Sequence, residues 1–128
     1  LALLASKAFS PELISFLNMR AVIAIRSGEF EEGIQYYQHA VLGAGDSREV
    51  VAKIKFNLGL AFARSGDLGQ AQQCFLESVA LGGKIFSRGK APLAIVQSLI
   101  KNRESGRAVP NKAIGEMMDD VSEWETLY

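Results

Sequence analysis

The stretch Arg26–Phe30 reads RSGEF, and Arg64–Leu68 reads RSGDL, so one short pattern occurs twice at a separation of 38 residues. The same shift aligns residues of similar size on both sides of the glycine. The aligned pairs are Ala21 with Gly59, Ala24 with Phe62, Phe30 with Leu68, Gly33 with Ala71, Tyr37 with Phe75, Ala40 with Ser78 and Val41 with Val79. A match this long is typical of a repeat architecture and therefore decides the fold class.

Each copy of the pattern predicts two helices separated by a glycine. Apolar residues recur at helical spacing after each glycine, at 30, 34, 37 and 41 and again at 68, 71, 75 and 79. Upstream helices are predicted over 11–27, with Ser10 as the cap and a proline in the first turn, and over 48–65. Gly28 and Gly66 would end them. Both first helices are apolar on more than one side, so we expect each to be covered on two faces.

The length of 128 residues suits a single domain, and the whole chain is predicted to be one all-α helical repeat unit of six to seven helices. Its expected parts are a partial helix at 1–9, repeat 1 at 14–47, repeat 2 at 52–85, and a degenerate third helix pair or cap at 91–126. In that third pair, helices are predicted over 91–102 and from 110 to about 125. Residues 84–90 are predicted to be an irregular connection.

Composition argues against several classes of function. Fourteen basic residues balance fourteen acidic ones, so no net field would attract nucleic acid. The longest apolar stretch, 13–25, is interrupted by polar residues and is too short to span a membrane. The single cysteine favours a reducing cytoplasm. A first residue other than methionine, with no secretory pattern in 1–5, leads us to expect a piece of a longer chain.

These residues resemble the tetratricopeptide repeat family. Small residues stand where helices would cross, a glycine stands at each turn, and an aromatic residue stands on each second helix. The resemblance is strong over about 14–85 and implies a right-handed superhelix of antiparallel helix pairs that binds a protein or peptide. The strings 16–22 and 31–34 look most like repeats of bacterial signalling proteins, including those attached to response-regulator receiver domains. Gly45 and Gly83 stand where the family usually has proline.

The resemblance also implies a concave groove lined by the first helices. Its expected lining is Ser15, Asn18, Met19, Val22, Ile25, Arg26, Lys53, Phe56, Asn57, Leu60, Ala63 and Arg64. An asparagine side chain can donate to and accept from a peptide backbone, and Lys53 and Arg64 could pair with carboxylates, so a partner with an acidic segment is one hypothesis. The alternative is that these cations are simply solvated.

The sequence contains no recognisable catalytic, metal or cofactor constellation, so we expect no enzyme and no cofactor. His39 is the only histidine, and no base that could activate Cys74 is recognisable in the sequence. The segment Ser87–Lys90 lacks the spacing of a phosphate loop. Met117, Met118 and Trp124 would form one helical stripe, which fits either a core or a second docking surface.

Charge is segregated along the chain. In residues 84–112 all the charged residues except Glu104 are basic, whereas Glu116, Asp119, Asp120, Glu123 and Glu125 are acidic. These regions could pair within one chain or join two copies, so a structural module that acts by self-association is the alternative function. Leu1, Leu3 and Leu4 could contribute to such an association.

Overall fold

The computed structural model describes residues 8–107, 114 and 124–128. Within them the chain forms five α-helices and no strand, so the predicted all-helical class is confirmed and the predicted count of six to seven helices is too high for this part of the chain. The helices are α1 (Pro11–Arg26), α2 (Phe30–Gly43), α3 (Arg48–Ser65), α4 (Leu68–Gly82) and α5 (Lys90–Glu104).

Local sequence explains where the first helices begin and end. The Ser10 hydroxyl accepts a hydrogen bond from the Leu13 amide at 3.1 Å, which caps α1 at the predicted start. Ser47 caps α3 in the same way. Gly28 and Gly66 follow these helices with φ of 84° and 91°. Side-chain-bearing residues rarely adopt this conformation, so both turns depend on glycine.

Helix α3 is central because it contributes to both hydrophobic clusters. Ile54, Leu58 and Ala61 lie in the first cluster, together with Tyr37 and Ala40 of α2. The opposite side of α3 lies in the second cluster, with α4 and α5. Helix α3 is therefore covered on two faces, as predicted for a first helix.

Two predicted regions fall wholly or largely outside the described residues. These are the partial helix at 1–9, of which residues 8 and 9 are described and not helical, and the helix predicted from 110 to about 125. Of the latter, Ile114 is helical and fully buried, but residues 124–128 are not helical, so the predicted helix end near Glu125 is wrong. The backbone of Glu125 is bonded to a side chain of α3 instead.

The connection between α4 and α5 is irregular, as predicted for 84–90, although α5 already starts at Lys90. Phe86 of this connection is buried against the ring of Phe56, with the two centroids 5.5 Å apart. No helix in the described part of the chain combines the length and hydrophobicity needed to cross a bilayer.

Candidate peptide-binding face

Residues 124–128, here called segment 124–128, lie across the first helices. The surface they cover, to which Asn18 of α1 and Asn57 and Arg64 of α3 contribute, is here called the first-helix face. Asn57 has no exposed surface, and its side chain bonds both backbone groups of Glu125. Its Nδ2 donates to the Glu125 carbonyl at 2.9 Å, and its Oδ1 accepts from the Glu125 amide at 2.8 Å. One asparagine thus satisfies the backbone of one residue completely.

Asn18 holds Asn57 in this orientation. Its Oδ1 accepts from Asn57 Nδ2 at 3.0 Å and from the Tyr37 hydroxyl at 2.9 Å, and its Nδ2 donates to the Glu125 carbonyl at 3.3 Å. Because a backbone amide only donates and a carbonyl only accepts, segment 124–128 fixes which end of the Asn57 amide is which.

Tyr37 lies buried beneath this hydrogen-bond network and donates to it. Burial raises the pKa of the Tyr37 hydroxyl well above its ordinary value, because the phenolate would lose its hydration. The hydroxyl therefore stays protonated and keeps donating to Asn18 across the range in which proteins are stable.

Trp124 and Glu125, the first two residues of segment 124–128, each lie next to an arginine. The Trp124 ring stacks on Tyr37, with centroids 6.2 Å apart and planes inclined by 17°, and the Arg64 guanidinium lies 5.0 Å from its centroid. The Glu125 carboxylate forms an ion pair with Arg88, whose guanidinium also lies 5.0 Å over the Phe56 ring.

The rest of the segment alternates between buried and exposed residues. Leu127 is only 2% exposed and belongs to the first hydrophobic cluster. Thr126 is exposed. The face therefore contacts an aromatic ring, an acidic group and an aliphatic side chain, and it leaves the position before the aliphatic residue open to solvent.

Ten of the twelve predicted groove residues divide into three groups. Asn18, Asn57 and Arg64 contact segment 124–128. Phe56, Leu60, Ile25 and Ala63 are buried in the hydrophobic clusters, and Ser15, Met19 and Arg26 are exposed. Val22 is half-buried against the first cluster, and Lys53 pairs with Glu49 at 3.5 Å.

In the predicted stripe of Met117, Met118 and Trp124, the two methionines lie outside the described residues. Trp124 packs on Tyr37, as described above.

Sequence reasoning missed two contributors to the site. Tyr37 is predicted only as a packing aromatic of the second helix, and Arg88 is predicted only as a member of the basic region 84–112, not as part of the groove. The signal for Arg88 was its place in the basic region 84–112, opposite the acidic residues that include Glu125. The Arg88–Glu125 pair is an attraction between those regions within one chain.

Residues with other chemistry are not assembled into a site. Cys74 is 4% exposed, and burial raises the pKa of its thiol to about 12, so it is not a thiolate at neutral pH. Within the described ranges, no group of three or more His, Cys, Asp or Glu side chains could hold a metal ion.

Comparison with known protein families identifies the type of repeat. A family model described as tetratricopeptide repeat matches residues 12–82, from the second residue of α1 to the end of α4, and the match includes both asparagines of the first-helix face. No curated protein and no solved structure matches the chain.

Proposed function

Because the chain belongs to the tetratricopeptide repeat family, whose repeats generally mediate protein–protein interaction, we propose that it is a non-catalytic module whose concave first-helix face binds an extended segment of a partner. The observation that carries this proposal is the double hydrogen bond between Asn57 and the backbone of Glu125. A helix face that satisfies both backbone groups of a non-helical segment has the chemistry needed to hold a peptide.

Backbone recognition supports binding of a segment rather than of a folded surface. An amide and a carbonyl of an extended chain are present in every peptide, so these two bonds give affinity without regard to sequence. Flanking side chains would then supply specificity. Arg64 and Arg88, which contact Trp124 and Glu125, favour a partner segment with an aromatic and an acidic residue.

The wider context is part of the proposal. The strings 16–22 and 31–34 support a place in a larger bacterial signalling protein, and the single cysteine supports a cytoplasmic location. Family membership supports a right-handed superhelical arrangement of the helix pairs, with the first helices on the inner side.

The function is tested by affinity capture from a lysate of the source organism with two single variants. Asn57→Ala removes the backbone contacts, and Met19→Ala is the matched control, because Met19 is equivalent to Asn57 in the 38-residue shift and is 53% exposed. We expect the wild type and Met19→Ala to retain a partner that a folded Asn57→Ala variant loses. Retention of the same partners by both variants would contradict binding at this face.

A second candidate function, self-association, is favoured by the exposed apolar face of α1. Leu13, Phe16, Met19 and Ile23 are 40 to 54% exposed on this helix. The equivalents of Phe16 and Ile23 in α3, Ile54 and Ala61, are fully buried in the first cluster with α2. A second copy could cover the α1 face as α2 covers α3. Light scattering over a concentration series tests this, and a monomer at every concentration would exclude it.

A further inference from the structure

Segment 124–128 defines what the first-helix face recognises. We infer that the partner segment carries an aromatic residue, an acidic residue directly after it, any residue next, and leucine or a similar aliphatic residue last, and that segment 124–128 competes with it from within the chain. This inference rests on the proposed function and specifies its ligand.

The aromatic position is selected by a stacked ring and a cation. Tyr37 stacks against one side of Trp124, and the Arg64 guanidinium lies 5.0 Å from its centroid. A flat, electron-rich ring satisfies both neighbours, whereas an aliphatic side chain would satisfy neither the stacking nor the cation.

The acidic position is selected by Arg88 and placed by Asn57. The ion pair holds the Glu125 side chain, which is only 18% exposed, while Asn57 holds the backbone of the same residue. Main-chain and side-chain recognition therefore coincide at one residue, which fixes the register of the whole segment.

The last two positions, those of Thr126 and Leu127, differ in how strictly the face selects the side chain. Leu127 is buried in the first cluster, so this position requires an apolar side chain of similar size. Thr126 is exposed, so this position tolerates substitution.

Segment 124–128 does not fit the first-helix face perfectly, so a partner segment could displace it. The indole Nε1 of Trp124 is buried and makes no hydrogen bond to any residue that the structure describes. Burying a donor without an acceptor opposes binding. A partner whose aromatic residue lacks this donor, or whose surroundings supply an acceptor, would avoid the penalty and could replace segment 124–128.

The probe is a fluorescein-labelled, carboxyl-amidated heptapeptide with the sequence of residues 122–128, titrated against the full chain by fluorescence anisotropy. The wild type is compared with an open variant, Trp124→Ala with Leu127→Ala, whose own segment is weakened. We expect the open variant to bind the peptide at least tenfold more tightly than the wild type. Adding Asn57→Ala should remove most of this binding, and adding Gln35→Ala, at an exposed position of α2 away from the first-helix face, should leave it unchanged.

Peptide variants test each position. Substituting the tryptophan by alanine or the second glutamate by glutamine should each weaken binding at least tenfold, whereas substituting the threonine by alanine should have little effect. A peptide with arginine at the second glutamate should regain affinity for the open variant carrying Arg88→Glu. Circular dichroism checks that each protein is folded. If the open variant does not fold, Glu125→Lys is used in its place, since it replaces the ion pair with Arg88 by a repulsion and leaves Trp124 and Leu127 intact.

The outcomes separate the two proposals. Equal binding of a scrambled peptide, or equal losses at the threonine and the tryptophan, would overturn the inferred recognition. A concentration-dependent dimer that disappears with Trp124→Ala would also overturn it, because the segment would then belong to a second copy. If no peptide binds but lysate capture still depends on Asn57, the inferred ligand is wrong. The proposed binding function would still hold. Capture that is independent of Asn57 would remove the function itself.

Discussion

Helices α1 and α3 have equivalent positions in the two repeats but different surroundings. Phe16 and Ile23 of α1 are 49% and 54% exposed, whereas the equivalent Ile54 and Ala61 of α3 have no exposed surface. The difference arises because α3 packs against α2 of the preceding repeat, and within the described residues no such helix precedes α1. The same sequence pattern thus makes a core face in one repeat and an open face in the other.

The largest expected effect comes from truncating the same position in both helices. Ile54→Ala leaves a cavity between α2 and α3 and should lower the free energy of unfolding by about 2–5 kcal/mol. Phe16→Ala removes a half-exposed ring and should cost about 1 kcal/mol or less. Urea denaturation of both variants measures the two values. Equal losses would mean that the α1 face is covered in solution.

The second comparison concerns Asn57 and its equivalent, Met19. Asn57→Ala leaves the amide and carbonyl of Glu125 without their buried partner and should cost about 1–3 kcal/mol. Met19→Ala changes an exposed side chain and should be nearly neutral. Thermal denaturation of the two variants checks the prediction, and a neutral Asn57→Ala would show that the two bonds do not form.

A smaller effect is expected where the first helices, α1 and α3, cross the second helices, α2 and α4. A Cβ on Gly59 would lie 2.6 Å from the fully buried ring of Phe75, so Gly59→Ala overpacks the crossing. The gain in helix propensity offsets part of this cost, which leaves a net loss on the order of 1 kcal/mol. The equivalent Ala21 already carries a Cβ. If Gly59→Ala stabilises the protein in urea denaturation, the crossing is looser than described.

The second helices extend the comparison to pH. Cys74 of α4 is buried, whereas its equivalent in α2, Tyr36, donates to Glu32 at 3.1 Å near the surface. Burial raises the pKa of the Cys74 thiol from its ordinary 9.0 to about 12, so above pH 9 the unfolded chain loses this proton and the folded chain keeps it. The free energy of unfolding should therefore be unaffected by this group below pH 9 and should fall above it, by about 1 kcal/mol per pH unit.

The control for this effect is Cys74→Ala, which should flatten the fall between pH 9 and 10. Denaturation at several pH values measures both proteins. Rapid reaction of the native thiol with a disulfide reagent at pH 7 would contradict the burial of Cys74.

The sequence was sufficient for features set by local patterns. The repeat of RSGEF as RSGDL, the cap at Ser10 and the glycines after α1 and α3 depend on residues close in sequence, and the structure has them at or within one residue of the predicted positions. The two-sided burial predicted for both first helices occurs for α3 and not for α1 within the described residues. Periodicity shows that a face is apolar but does not show what covers it.

The site was only partly accessible from sequence. The ability of Asn57 to bond a backbone in two ways follows from its chemistry, and that asparagine does form both bonds. The identity of the bonded backbone does not follow, because Glu125 is 68 residues away in the chain. Lys53 is predicted to line the groove and to pair with a partner's carboxylate, but in the structure it pairs with Glu49 one turn away, since a local ion pair requires no tertiary contact.

Amide hydrogen exchange at Glu125 tests most directly whether the first-helix face holds an extended backbone. Glu125 lies outside any helix, so its amide should exchange quickly unless Asn57 accepts its hydrogen bond. We predict a slowly exchanging Glu125 amide in the wild type and in Met19→Ala, and at least tenfold faster exchange in Asn57→Ala. Exchange of the wild-type amide at the rate of an unstructured peptide would contradict the account.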